Sequence, residues 1–223
     1  MADRLAADAP SPPDLPDELT ALDAAGARGA ASWSGAMLAD AELAGYEASG
    51  LSAVGARLER VDLAGAKLPG LRLVDTVVSA CNLANVRARG ATLVRCELRG
   101  CRMTGSGWTE AQLTDVLVRD CRVDLAALTA ATLTRVTFED CLMTQCDLQD
   151  AICRSLRLHR CDLTEADLSG ARFRRGELRR CTLDRLHGVE RLRGAGMPLD
   201  DLLAFAPALA DALGIRMLDE PDA

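Results

Sequence analysis

Along most of the chain, apolar residues recur at every fifth position. The series starts at Trp33 and runs through Leu38, Leu43, Ala48, Ala53, Leu58, Leu63, Leu68, Leu73, Val78 and Leu83. It continues in the same frame to Leu178 and Leu183, thirty-one positions without a register break. A second series of smaller residues stands two positions earlier: Ala31, Ala36, Ala41 and, further on, Cys81, Val86, Ala91, Cys96 and Cys101. The residues between them are mostly polar or Gly. On an α-helix a step of five moves the apolar stripe by about 140°, so no apolar face forms. On a flat strand the same step alternates between faces. The pattern closes if the chain turns a corner every five residues, so that positions i−2 and i of each side point to one interior. The expected element is therefore a coil of short β sides, an all-β solenoid of about thirty-one repeats. Gly45, Gly50, Gly55, Gly65, Gly70, Gly90, Gly100 and Gly105 stand where a corner needs a permissive backbone.

The cysteines set the number of sides. Cys81, Cys101, Cys121, Cys141, Cys161 and Cys181 are spaced by twenty, as are Ala91, Ala111, Ala131, Ala151 and Ala171. Four sides per turn place each set in one column. Stacking of just under eight turns at about 4.8 Å each gives a rod roughly 37 Å long.

Segments such as CDLTEADLSGARF (161–173) and VDLAGAKLPG (61–70) resemble the A(D/N)Lxx unit of the pentapeptide repeat proteins. The resemblance covers residues 31–185 and implies a right-handed quadrilateral β-helix with short helical caps. A fold of this kind does not name a function.

Eight of the nine cysteines fall on the i−2 position and Cys153 on the i position. Ala, Val and Thr fill the same slots elsewhere, so Cys here is a small hydrophobe and the six-residue column a structural ladder. A metal centre would need His or carboxylate companions, which the repeat does not supply. Stacked turns bring Cα atoms within disulfide range, but parallel side chains in a column lack the crossing geometry. Nine free thiols are expected, in a reducing cytoplasmic setting. No cofactor is implied.

The ends differ from the body. Residues 1–13 are acidic and rich in Pro and Ala, and read as a disordered tail. Residues 14–30 read as an N-terminal cap, with Leu15, Leu19 and Leu22 at helical spacing over the first turn. Residues 186–223 read as a C-terminal cap. Pro198 suits a helix start and Gly214 a stop, and Pro207 should kink or split the helix between them. GIRML then alternates like a short strand. This tail, ALGIRML above all, resembles the C-terminal module of quinolone-resistance pentapeptide proteins, in which a helix and strand join two rods end to end. The resemblance implies a homodimer through Leu199, Leu202, Leu203, Leu209, Leu213, Ile215 and Met217.

The net charge of −7 belongs to the ends. Residues 1–30 and 186–223 each carry −4, and the body, 31–185, carries +1. Folded on a twenty-residue turn, the side holding Cys101 has six acids and three bases, and the next has five and three. The third side has two acids against seven Arg, and the fourth has seven acids and eight bases. Asp124, Asp147, Asp150, Asp162, Glu165 and Asp167 are thus the candidate acidic partner faces. The third side also carries an outward apolar column, Val54, Val74 and Val94, which either the N-terminal segment or a partner should cover.

No catalytic constellation is present. The two histidines, His159 and His187, have no nucleophile or carboxylate at a motif-like spacing, and an enzyme is not expected. Direct nucleic-acid binding by Arg154, Arg157, Arg160, Arg172, Arg174, Arg175, Arg179 and Arg180 lacks interleaved aromatics, and the acidic ends oppose it. No apolar run is long enough for a membrane helix. Two readings follow. One is a non-enzymatic protein-interaction rod of undefined partner. The other, implied by the resemblance, is an acidic rod that mimics duplex DNA in the saddle of DNA gyrase or a related topoisomerase and confers quinolone or topoisomerase-poison resistance. The near-neutral body departs from that picture.

Overall fold

From Gly35 to Arg185 every fifth residue has a positive φ; ten of these corners are Gly and twenty-one are not. The computed structural model, which describes residues 9–212 and 214–216, thus turns a corner at every repeat. A non-glycine residue in the left-handed region costs about 1–2 kcal/mol. The coil sustains this because corner N–H groups are satisfied by the turn above, as Arg60 N–H is by Ser79 O at 3.0 Å, and near the C-terminal end Arg180 N–H is satisfied by Asp201 Oδ2 at 2.6 Å.

Within the repeat body, stacking registers each residue on the one twenty positions later. Arg72 faces Thr92, Thr92 faces Gln112, and Gln112 faces Thr132. The third and fourth sides merge into eight-residue strands: β5 (Arg72–Ser79), β6 (Thr92–Arg99), β7 (Gln112–Arg119) and β8 (Thr132–Glu139). Their Val and Thr content suits a pleated surface. In the outer turns the same sides are three- or four-residue strands: β2 (Ala36–Ala39), β3 (Ser52–Val54), β4 (Arg57–Glu59), β9 (Ile152–Arg154), β10 (Arg157–His159), β11 (Arg172–Arg174) and β12 (Glu177–Arg179). The first and second sides, rich in Ala, Gly, Asp and Asn, meet through single bridges such as Asp62↔Asn82 and Lys67↔Arg87. Their corners are β-turns: Ala66 N–H donates to Leu63 O at 3.0 Å with a positive φ at Gly65, the type II arrangement.

The interior holds one apolar cluster built from the i and i−2 residues, with Leu38, Leu43, Leu133 and Leu148 fully buried. All nine cysteines are free thiols; eight are buried and Cys181 is half-buried at the end of its column.

The N-terminal end departs from the sequence reading. Residues 15–22 form no helix. Instead β1 (Thr20–Leu22) pairs in parallel with Ala36–Leu38, and a short helix, α1 (Ala24–Gly29), follows, capped by Asp23 accepting from Gly26 N–H at 2.7 Å. Ala27 of α1 plugs the first turn, and its carbonyl accepts from Trp33 Nε1 at 3.0 Å and from the Tyr46 hydroxyl at 3.4 Å. Residues 9–13 were expected in the loose tail; they and residues 14–19 lie along the outside of the coil. Pro10, Pro12, Pro13 and Pro16 hold an extended backbone that a helix could not use. Residues 1–8 lie outside the described residues.

At the other end, Leu178, Leu183, Leu186, Val189 and Leu192 close the last turn, and a fourteen-residue helix, α2 (Leu199–Ala212), packs over them. Pro207 does not split α2. Its missing N–H leaves the Leu203 carbonyl without a helical donor, but that turn faces solvent. Gly214 ends the helix in a Schellman motif: Gly214 N–H donates to Asp211 O at 2.9 Å and Ile215 N–H to Ala210 O at 2.8 Å. Ile215 and Arg216 are therefore part of the helix stop and not a strand. Leu213 and Met217 lie outside the described residues.

Candidate interaction surfaces

Charges on the coil face their own ladder. Acids and bases twenty residues apart stack into ion pairs between turns: Asp40 with Arg60, Glu47 with Lys67, Asp140 with Arg160 and Glu165 with Arg185. Gln145 and Arg185 hold the Glu165 carboxyl below the usual carboxylate range. The sequence contained this signal as opposite charges at i and i+20, and counting by side alone concealed it.

The candidate acidic faces are correspondingly engaged. Asp124 accepts from Thr104 Oγ1 at 3.0 Å, and Arg122 stands 3.7 Å away. Asp147 accepts from Thr129 Oγ1 at 2.7 Å and Gln149 N–H at 2.8 Å. Asp162 takes both Thr164 N–H and Thr164 Oγ1, at 2.9 and 2.6 Å. Asp167 takes Ser169 N–H at 2.7 Å and Gln149 Nε2 at 2.8 Å. Asp150 is an exposed corner residue. The row is one of locally tied carboxylates rather than free, phosphate-like ones.

The basic end of the coil is tied in part as well. Arg157 Nε and His159 Nε2 stand 3.8 and 3.9 Å from Glu177 Oε2, and Arg179 pairs with the same carboxylate. Burial pushes the His159 pKa down. Arg160 bridges Glu139 and Asp140.

On the third side the N-terminal segment covers the valine column unevenly. Val74 is buried, Val94 is half-buried and Val54 stays exposed. Asp14 N–H donates to Asp75 Oδ1 at 3.0 Å, and Ser11 N–H to Asp115 Oδ1 at 3.1 Å. Arg95 grips Asp75 and Arg135 grips Asp115, each by two hydrogen bonds. Those guanidinium groups hold both carboxyls below their usual range. No periodicity marked this segment.

The cap helix divides its apolar residues. Phe205 is buried and Ala208 and Leu209 pack against the coil, so Leu209 serves the cap itself. Leu199, Leu202, Leu203 and Ile215 point outward, with Leu199 69% and Leu203 63% exposed. A cavity of about 420 Å³ separates the helix from the last turn, lined by Leu178, Cys181, Leu183, Met197, Phe205 and Ala208 among others.

The cysteine ladder has no ligand geometry of its own. Cys101 Sγ donates to Arg99 O, and Cys121 Sγ accepts from Cys101 N–H at 3.3 Å. Burial pushes the Cys146 and Cys153 thiols up to about 12, which keeps them protonated and inert. Among the described residues no group of three His, Cys, Asp or Glu side chains is placed to hold a metal, and no helix is long and apolar enough to cross a membrane.

A family model described as Pentapeptide repeats, in eight copies, matches residues 72–106, 81–120 and 141–180. No curated protein matches the chain. Among solved structures it is similar to HetL, a pentapeptide repeat protein involved in heterocyst differentiation regulation from the cyanobacterium Nostoc sp. The identity is 22%, over 89% of this chain and 95% of that one, with a TM-score of 0.36. Full-length QnrB1, a plasmid-mediated fluoroquinolone resistance protein, is 16% identical over 89% of this chain and 99% of its own, with a TM-score of 0.46.

Proposed function

We propose that this chain, whose repeats match the pentapeptide repeat model, works as a non-enzymatic interaction rod, two copies of which join end to end through the C-terminal cap. The observation that carries this is the distribution of exposed apolar side chains. Among the described residues six large ones are exposed, and four of them, Leu199, Leu202, Leu203 and Ile215, belong to α2 and its stop. A solenoid end must be covered, and here the chain's own helix leaves a cavity beneath it and an apolar face above it. A two-fold pairing of this surface would hide the face and double the length of the rod. Light scattering at micromolar concentration should give a dimer mass for the wild-type chain and a monomer mass for Leu199→Glu combined with Leu203→Glu. A wild-type monomer would remove the dimer.

The alternative is an acidic rod in the DNA-binding saddle of gyrase. What favours it is the excess of acid on the first two sides; what opposes it is the pairing of those acids within the coil. DNA mimicry needs charge that a partner can reach. At tenfold molar excess the chain should neither inhibit gyrase supercoiling nor protect the enzyme from a fluoroquinolone. Either effect would restore the mimic.

A further inference from the structure

The N-terminal segment shows what the corner between the third and fourth sides can hold. That corner is a column with Gly55, Asp75, Arg95 and Asp115 in successive turns. We propose that this column is a docking track for an extended, proline-bearing peptide segment of a partner protein, and that residues 11–16 fill it in cis. The proposal deepens the interaction-rod reading by naming the partner's chemistry, and it is independent of the cap dimer.

Spacing carries the inference. Ser11 and Asp14 are three residues apart and reach carboxylates two coil turns apart. Three extended residues span about 9–10 Å, and two stacked turns rise about 9.6 Å, so an extended chain lying along the rod stays in step with the column. The track reads backbone, since both contacts are N–H groups donating to Oδ1 of an aspartate. Side-chain exposures of 12% for Asp75 and 9% for Asp115 leave little room for other donors. Arg95 and Arg135 fix the carboxylates from the neighbouring turns. Prolines at 12, 13 and 16 carry no N–H, and of the three N–H groups left in the segment those of Ser11 and Asp14 meet the two aspartates.

The end of the track is a seat for a ring. Pro16 Cδ lies 2.9 Å from where a Cβ of Gly55 would stand. The coil does not need the segment for its own hydrogen bonding, because Gly55 N–H already donates to Val74 O at 2.9 Å. Val54 remains 40% exposed beside it, so the seat is only partly filled. A tethered segment acts at an effective concentration in the millimolar range, so a partner segment competes only where the cis segment is weakened.

The test uses the full-length chain and a fluorescein-labelled synthetic peptide of residues 9–19, read by anisotropy. In one variant Pro12→Gly, Pro13→Gly and Pro16→Gly loosen the cis segment without touching the coil. This variant should bind the peptide at least tenfold more tightly than the wild-type chain. Adding Asp75→Asn and Asp115→Asn, which leave an amide oxygen in each place but remove the charge, should weaken binding at least tenfold. Adding Gly55→Ala in their place should weaken it severalfold, in a coil that already carries side chains at twenty-one corners of the same φ. Circular dichroism confirms folding of each variant. Absence of saturable binding to the folded, loosened chain would overturn the proposal. So would binding that neither the Asn pair nor Gly55→Ala reduces. Light scattering on the same samples reports the cap dimer separately.

Discussion

Ser106 occupies an inward slot that mostly holds Ala, Val or Cys, and its hydroxyl accepts from Trp108 Nε1 at 2.9 Å with both residues buried. The pair shows how the coil admits a large ring: the small position of the same side supplies the acceptor that the indole needs. Ser106→Ala should lower the unfolding free energy by about 1–3 kcal/mol, because a buried N–H loses its acceptor. Trp108→Phe in that background should recover part of the loss. Denaturant midpoints check both, and an unchanged midpoint for Ser106→Ala would show that the bond contributes nothing. Burial of Ser106 was legible from its place in the five-residue frame. The bond to Trp108 was not, since nothing in the frame says that two neighbouring inward side chains touch.

Among the elements, the N-terminal segment departs furthest from the pattern of the sequence. Leu15, Leu19 and Leu22 imitate a helical face, yet the prolines between Pro10 and Pro16 hold the backbone extended, and its partners lie 61 and 104 residues away. No local pattern carries contacts at that separation. The segment's attachment should depend on pH. Asp75 and Asp115 have folded pKa values depressed by Arg95 and Arg135. Their contribution is therefore complete above the unfolded carboxylate value, about 3.9, and is lost as pH falls through the lower folded values. Exchange protection of the Ser11 and Asp14 amides, corrected for intrinsic rate, should hold down to about pH 4 and collapse below it. Protection that fades between pH 7 and 5 would mean that other groups hold the segment. The C-terminal helix was legible from Pro198 to Gly214; of the strand expected after it only residues 214–216 are described, and there Gly214 and Ile215 spend their N–H groups on the helix stop.

The whole molecule is a rod whose charge is largely spent on holding its turns in line. Length, four-sidedness and the interior were readable because one residue in five and one residue in twenty repeat without a break. Function was less readable, because partner faces need not repeat. What distinguishes one end of this rod is the apolar face of α2, through which we propose that two copies join end to end. Small-angle X-ray scattering on matched samples tests it most directly. The wild-type chain should give an elongated particle with about twice the maximum dimension of the Leu199→Glu, Leu203→Glu variant and the same cross-section. Equal maximum dimensions for the two, or a wild-type particle that is wider and no longer, would contradict the account.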